Sequence, residues 1–535
     1  MIKKSIYLFG ALILPLLVVW IFRMQYGYIY HAVDDVTINY SIINGESMLL
    51  PYIGIVLTKT LVIIQNIFPM INIYFIFLVG TYSISFSVFI FLLRKRKCKI
   101  LLIIIILIIE FTLLKYFTYS VVAYLLATSG VLLLYKEEKT ILSSIIIFVG
   151  FSLRVQVIVS VILLLLGIVL YELIVNKKKK KTVYLAIVTA LVISTNFIFV
   201  KTNSEVENYI TWNNKSTLIR DYPAINYNEY KDKLANENIS KNDLESYNAW
   251  IFAEKNVFSN NMLDRLDEIR DNSKKYDLSI KNNIIQIFSN ELLKVFIYFI
   301  VLIPLLYRPK KIFGHLSLVM PIALIVLLSI RQRMVERVYI PLIIIFIFSF
   351  IIYLQDIFEK RNYRLLRGTE NIIFSILSLF MLNNTIQYGT DNLYWFVHQS
   401  FPHNKVYNEL LKNNEKNLYI FAGYGNIINS QPNVSKVFVE KDKLTKNMLT
   451  LGNWQTFTPQ YKEKLDDLNV SDSNNLLSSA LDSDNIKFVL PEKSGLMEKV
   501  KTLFKEHYNK DVNFMFQEKV DEEVNVYVLR SDVSE

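Results

Sequence analysis

Long apolar runs separated by short basic clusters recur through residues 1–386 of the 535-residue chain, and this alternation limits what it can fold into. About 20 consecutive apolar residues suffice to carry a helix across a bilayer. A chain with 53% hydrophobic residues over this length is too apolar for one soluble domain. The net charge of +11 would suit nucleic acid if it formed one patch. Here the lysines and arginines cluster between apolar runs, which is the pattern of cytoplasm-facing loops and argues against nucleic acid as a partner. Cys98 is the single cysteine, so the chain forms no internal disulfide and no cysteine metal site.

Taking basic loops as inside gives a specific topology. Residues 6–22 run outward behind Lys3 and Lys4; with no small-residue cleavage site after them, they read as a retained anchor. Residues 51–69 are apolar but carry Thr58, Lys59, Thr60, Gln65 and Asn66, with Lys59 and Asn66 on one helix face. That suits a helix lying in the interface plane. Leaving this segment uncrossed also puts the cluster Arg94–Lys99 inside. Spans then alternate over 71–93, 100–116 and 117–135, and two fit in 140–175 with an outer turn at Arg154 and Gln156. Further spans cover 182–200, 291–306, 313–330, 338–354 and 371–385. The expected fold is a polytopic α-helical membrane protein of about eleven spans, N-terminus cytoplasmic and C-terminus extracytoplasmic.

The chain divides into a membrane module, 1–386, with extracytoplasmic loops at 25–70 and 201–290, and a small extracytoplasmic α/β domain, 387–535. In the tail, residues 417–421, 486–490 and 524–529 read as strands, and 496–508 as an amphipathic helix with Leu496, Val500, Leu503 and Phe504 at helical spacing. Gly423-Tyr-Gly425 lacks the third glycine and acidic partner of a dinucleotide turn. No internal repeat, Walker motif, nucleophile elbow, EF-hand or HExxH spacing is present.

Against this background the adjacent carboxylates Asp34 and Asp35 stand out, directly after the first span and on its outer side. Alone, such a pair is most simply a solvated loop. Its position at a membrane face gives two chemical readings: general base toward a hydroxyl, or ligand to a divalent metal such as Mg or Mn. His31, three residues earlier, can ligate metal or shuttle protons; its simpler reading is a polar tip. Glu110 lies inside an apolar span, where a carboxylate marks a site or a paired group. Arg154, Arg331, Arg333 and Arg337 fall on the outer side against the usual charge bias. Their plain reading is a salt-bridge set, with Glu336 among the acids. The sharper one is a cradle for a lipid-borne phosphate, which the guanidinium fork suits.

In order along the chain these parts resemble the GT-C superfamily of polytopic glycosyltransferases, closest to its multispan Gram-positive members. The resemblance rests on Asp34-Asp35, on 45–51 followed by 69–74, on Phe151-Ser-Leu-Arg154, on Arg220-Asp221-Tyr-Pro223, on 240–250 and on 331–337. It covers residues 1–386 and leaves the tail aside. It implies inverting transfer of a sugar from a polyprenyl-phosphate donor to an extracytoplasmic acceptor, a cell-wall or surface polysaccharide or a glycolipid. Asp34 or Asp35 would be the base, with the choice open; Arg154, Arg331, Arg333 and Arg337 would hold the donor phosphate, and Arg220 and Asp221 would be further site members. A polysaccharide polymerase or ligase would share the carrier and the arginines without needing the acidic pair. A transporter would want broken helices and polar residues near the midplane of several spans.

Overall fold

The computed structural model describes the chain apart from residues 1, 27–29, 31–32, 46–48, 51, 96–98, 221–224, 271–306, 331–334, 361–403, 413–416, 423–435, 441–446, 493, 523 and 533–535. The apolar runs become helices: α1 (Ile2–Tyr26), α2 (Val33–Ile43), α3 (Ile55–Ile67), α4 (Ile73–Leu92), α5 (Lys99–Leu113), α6 (Tyr119–Lys136) and α7 (Thr140–Leu153). After these come α8 (Val157–Leu164), α9 (Leu166–Ile174), α10 (Lys179–Thr202), α11 (Ser204–Arg220), α12 (Tyr227–Asn236), α13 (Lys241–Asn248) and α14 (Asn260–Ile269). Strand β1 (Tyr307–Pro309), α15 (Lys311–Ile330), α16 (Glu336–Ile357) and β2 (Phe358–Lys360) follow.

Among the described residues six helices are long and apolar enough to cross a membrane, or seven if the bent pair α8–α9 counts as one span. This is a membrane protein by those helices; the sequence-based count of about eleven is not reached. The expected spans 291–306 and 371–385 lie outside the described residues. Helix α7 has 14 residues and α5 has 15, short for the roughly 30 Å of hydrocarbon at about 1.5 Å per residue.

Helix α6 is the axis of the bundle. Its window is 94% buried, against 83% for α16, 61% for α4 and only 17% for α10, so the first three form the interior and α10 the rim. Small residues let α6 and α7 approach closely. A Cβ on Gly150 of α7 would meet the Ala127 backbone nitrogen at 2.5 Å, and one on Gly130 of α6 would meet Ile147 at 2.8 Å. Membrane helices that gain nothing from hydrophobic expulsion pack through such small residues.

The helix ends sort by charge. At one end Arg94 pairs with Glu137 (2.5 Å), Lys136 with Asp356 (2.6 Å), and Lys178 with Glu172 (2.9 Å). This end gathers the basic clusters predicted to share one side. At the other end Gly54 N donates to Ser152 O (2.6 Å) and Ile55 N to Asn196 Oδ1 (2.9 Å), tying the start of α3 to the ends of α7 and α10. The far end of α3 stays there too: Ile73 N, at the start of α4, donates to Gln65 Oε1 (3.1 Å). Both ends of this 13-residue helix therefore stay on one side, as its polar residues suggested.

The tail forms a five-stranded sheet in the order β4-β3-β5-β7-β6, with β3 (Leu418–Phe421), β4 (Met448–Thr450), β5 (Ile486–Pro491), β6 (Val512–Asp521) and β7 (Val524–Ser531). Strands β3, β4 and β5 run parallel; β7 is antiparallel to both β5 and β6. The three expected strands are β3, β5 and β7, and the expected helix is Leu496–Tyr508; β4 and β6 were not foreseen. Gly423 and Gly425 lie outside the described residues. The long loop does not stand apart from this sheet. Trp212, Tyr247, Phe252 and Leu263 of the loop share one apolar cluster with Ile420, Phe488 and Leu503 of the tail. Buried Glu254 seals the joint, accepting from Ser478 N (2.9 Å), Ser478 Oγ (2.8 Å) and Tyr508 OH (2.7 Å).

Because the α6–α7 contact depends on a missing side chain, Gly150→Leu should abolish the monodisperse peak of detergent-purified protein in size-exclusion chromatography. Gly10→Leu, where nothing lies within 4 Å of an added Cβ, should leave it intact. Equal behaviour of the two variants would refute the close approach.

Candidate functional site

The acidic pair opens helix α2, where both carboxylates occupy the first turn and face the positive end of its dipole. Adjacent residues on a helix point about 100° apart, so the two side chains meet different surroundings. Asp34 is partly open: its Oδ2 pairs with Arg337 Nη1 at 2.7 Å, with side-chain exposures of 25% and 31%. The partners are 303 residues apart in sequence. Asp35 is closed off, with no exposed surface. Its Oδ1 accepts from Tyr74 OH (2.9 Å) and from the Tyr119 backbone N–H (2.8 Å).

The second bond explains how a carboxylate is tolerated there. Tyr119 is the first residue of α6, after the cap Thr118, whose side chain accepts from Val121 N. Its N–H is one of the donors that a helix start leaves without a partner, and anions are favoured at that point. Asp35 thus joins α2, α4 and α6. Its Oδ2 has no hydrogen-bond partner among the described residues. Burial is the main cause that pushes the Asp35 carboxyl up to about 7; the hydrogen bonds from Tyr119 and Tyr74 oppose this, Asp34 adds to it and Arg337 offsets it. Around it, the Tyr30 ring stacks 6.3 Å from Tyr74 and 5.9 Å from Phe117, and Asn39 Nδ2 donates to Tyr30 OH at 3.2 Å.

Arg154 ends α7 in extended conformation and reaches the same helix start, donating to Ser120 Oγ and lying 5.6 Å from the Tyr119 ring. The Asp35 bond to Tyr119 N and the Arg154 contacts with Ser120 and the Tyr119 ring put the acidic pair, with Arg337 on Asp34, and Arg154 at one helix start. The structure therefore brings together Asp34, Asp35, Arg154 and Arg337 from three helices or helix ends. Arg331, Arg333 and His31 lie outside the described residues, as does Asp221.

Other candidates sit elsewhere. Glu110 in α5 is fully buried and neither carboxylate oxygen has a partner among the described residues; its backbone oxygen accepts from Tyr82 OH at 2.6 Å. Arg220 belongs to the loop, 4.7 Å from the Trp250 ring and 3.3 Å from Asn213 Oδ1. The plain reading of the acidic pair as a solvated loop needs correction: Asp35 cross-links three helices, and Asp34 pairs with Arg337 of α16. Arg337 takes Asp34 rather than Glu336 as its acid, since Glu336 precedes it directly and turns elsewhere on the helix.

Sequence reasoning missed Tyr30, Tyr74, Tyr119 and Ser120. A signal existed for Tyr119: Thr118 at the start of an apolar run is an N-cap, and a capped helix start is an anion site. As a metal centre the pair is poorly supplied. Asp34 already faces a guanidinium, and among the described residues the one three-ligand group is Asp243, Glu506 and His507 in the tail–loop joint. That group is accounted for by its own bonds: His507 Nε2 to Asp243 Oδ1 at 2.6 Å, and Asp243 Oδ2 accepting from Ser240 N at 3.0 Å. No protein-family model, curated protein or solved structure matches this chain.

A carboxyl raised on folding favours the protonated state in the fold. Asp35 should then stabilise the protein fully below about pH 4 and lose that contribution as pH rises toward 7. At about 1.4 kcal/mol per unit the loss amounts to a few kcal/mol. Thermal unfolding in detergent between pH 4.5 and 7.5 should show the fall in wild type and a flatter profile in Asp35→Asn. Parallel profiles would refute the buried, raised carboxyl.

Proposed function

We propose that this protein is a membrane glycosyltransferase that moves a sugar from a polyprenyl-phosphate donor to a polysaccharide or glycolipid acceptor at the extracytoplasmic face. The observation that carries the reading is the Asp34–Arg337 pair beside Arg154: a base and phosphate-binding cations from distant parts of the chain meet at one end of the bundle. The order of motifs resembling GT-C enzymes adds to it.

The chemistry follows from the two environments. Asp34, partly open to solvent, is the general base, and closed-in Asp35 positions it by pinning α2 to α4 and α6. The acceptor hydroxyl attacks the anomeric carbon, its proton passes to Asp34, and the bond from that carbon to the phosphate oxygen breaks. Polyprenyl phosphate leaves with the electron pair, its charge held by Arg337 and Arg154, with Arg331 and Arg333 as further candidates. One inversion at carbon results. Phosphate arriving at Arg337 competes with Asp34 for the guanidinium, so donor binding frees the base. A phosphate leaving group needs little acid help, and no metal enters this scheme.

The acid end of the bundle is then extracytoplasmic and the basic end cytoplasmic, by the positive-inside rule. A membrane-impermeant thiol reagent on intact cells should leave Cys98 unlabelled and label Thr502→Cys in a cysteine-free background. The reverse pattern would invert the protein and remove the outer-face acceptor.

Asp34→Asn should lower transfer by about two to four orders of magnitude, the usual range for a lost general base, with little change in unfolding temperature. Arg337→Lys keeps the charge but loses the planar fork, and should weaken binding of a polyprenyl-phosphate analogue to purified protein. Near-normal lipid-linked and wall glycans in cells carrying Asp34→Asn would sink the assignment.

A further inference from the structure

The tail meets the bundle beside the start of α4. Residues 436–440 of the tail lie along residues 70–72, in the turn between α3 and α4. Val439 N donates to Met70 O (3.0 Å) and Asn72 N to Val437 O (2.9 Å), so Ile71 and Phe438 form an antiparallel bridge. Side chains of an extended segment alternate between two sides. Val439 is buried and Val437 packs on the bundle core, so both point inward. Phe438, between them, points out and is 70% exposed.

One exposed aromatic needs no explanation. This one has neighbours: Ile67, Phe68 and Met70, at the end of α3 and in the turn, are exposed as well. Helix α3, which leads into that turn, is built the wrong way round for water. Its Thr58 and Gln65 are buried against the protein, while Val56, Ile63 and Ile67 face out. Lys59 and Asn66 fall to one edge of that outer face. A surface helix in water turns its apolar stripe inward. A helix lying in a membrane surface turns an apolar face to the acyl chains and keeps its charge at the edge.

Chain connectivity fixes the depth of the patch. Ile71 stands two residues before Ile73, the first residue of a helix long and apolar enough to span. Ile73 N donates to Gln65 Oε1, Ile71 N to Phe68 O (3.0 Å), and Phe75 N to the cap Asn72, so the end of α3 and the start of α4 form one braced corner. Phe438 is therefore carried to the level where the span begins. The patch also runs into a surface that lipid covers. Lys59 Nζ lies 5.2 Å from the Phe199 ring near the end of α10, the rim span, whose Phe197 and Ile198 are exposed. Lys436 and Glu440, on either side of Phe438 in sequence, are ion-paired with each other, which suits a headgroup layer.

We propose that Phe438, together with Ile67, Phe68 and Met70, enters the adjacent lipid leaflet and moors the tail to the membrane surface. The partner is the boundary between headgroups and acyl chains, into which interfacial apolar faces sink by about 5–10 Å. This mooring is independent of any reaction the protein performs.

The test uses the full chain in single-protein nanodiscs of phosphatidylcholine and phosphatidylglycerol. In a Cys98→Ser background, Phe438→Cys carries a nitrobenzoxadiazole fluorophore, and Phe68→Cys provides the reference in the membrane turn. Lipid spin-labelled near the headgroup should quench the label at 438 to within about twofold of the label at 68, and aqueous iodide should not reach it. Iodide quenching without spin-label quenching would put Phe438 in water and overturn the proposal. Shielding from both quenchers would mean that protein covers the ring, and would overturn it too; the single-protein disc already excludes a second copy. Independently, Phe438→Ser in the otherwise native chain removes an exposed ring and leaves the packed core alone. It should speed hydrogen exchange of the peptide containing Val439 by roughly threefold to tenfold in nanodiscs, with α6 peptides unchanged. Unchanged exchange at Val439 would refute the mooring.

Discussion

The Asp35 carboxylate, closed from solvent at the start of α6, is the interaction on which the arrangement of this protein turns. Burying a carboxyl in an apolar bundle is costly unless donors meet it. Here one donor is a backbone N–H that the helix start leaves free and the other is the hydroxyl of Tyr74. The same carboxylate sets the position of α2, and so of the adjacent Asp34: one neighbour is fixed inside, and the next is thereby turned to the partly open side. A lone aspartate in a loop would leave α16 and its Arg337 without a fixed acid to meet.

The bundle places these charges by having two unlike ends. At one, lysines and arginines pair with Glu137, Glu172 and Asp356 and satisfy one another. At the other, Arg154 and Arg337 converge on the first turn of α6. Charges at the first end are those expected to sit in cytoplasmic loops. Those at the second end have specific partners: Arg337 pairs with Asp34, and Arg154 donates to Ser120.

The tail and the long loop act as one body over the acid end. Their shared apolar cluster, sealed by Glu254, makes the loop a wall of the tail rather than a free lid. Through Tyr40 and Ser41 this body also grips the far end of α2. One short helix thus carries the acidic pair at its start and the tail's contacts at its end.

The sequence by itself determined the membrane class, most helix positions, the short helix at α3 and the α/β character of the tail, and it singled out Asp34, Asp35, Arg154 and Arg337, which the fold brings to one end of the bundle. These follow from local properties: apolar length, charge placement and residue type. Its count of about eleven spans is not confirmed: six or seven helices among the described residues are long and apolar enough to cross, and α7, with 14 residues, shows that a hydrophobic run reports apolarity rather than helix length. It also missed β4 and β6, whose three and ten residues lack a clean alternation. Only the tertiary structure decided how the two aspartates differ, since identical neighbours in sequence are separated by about 100° of helix and met by different helices. It alone joined Asp34 to Arg337 and the loop to the tail, because contacts across hundreds of residues depend on packing that no local pattern encodes.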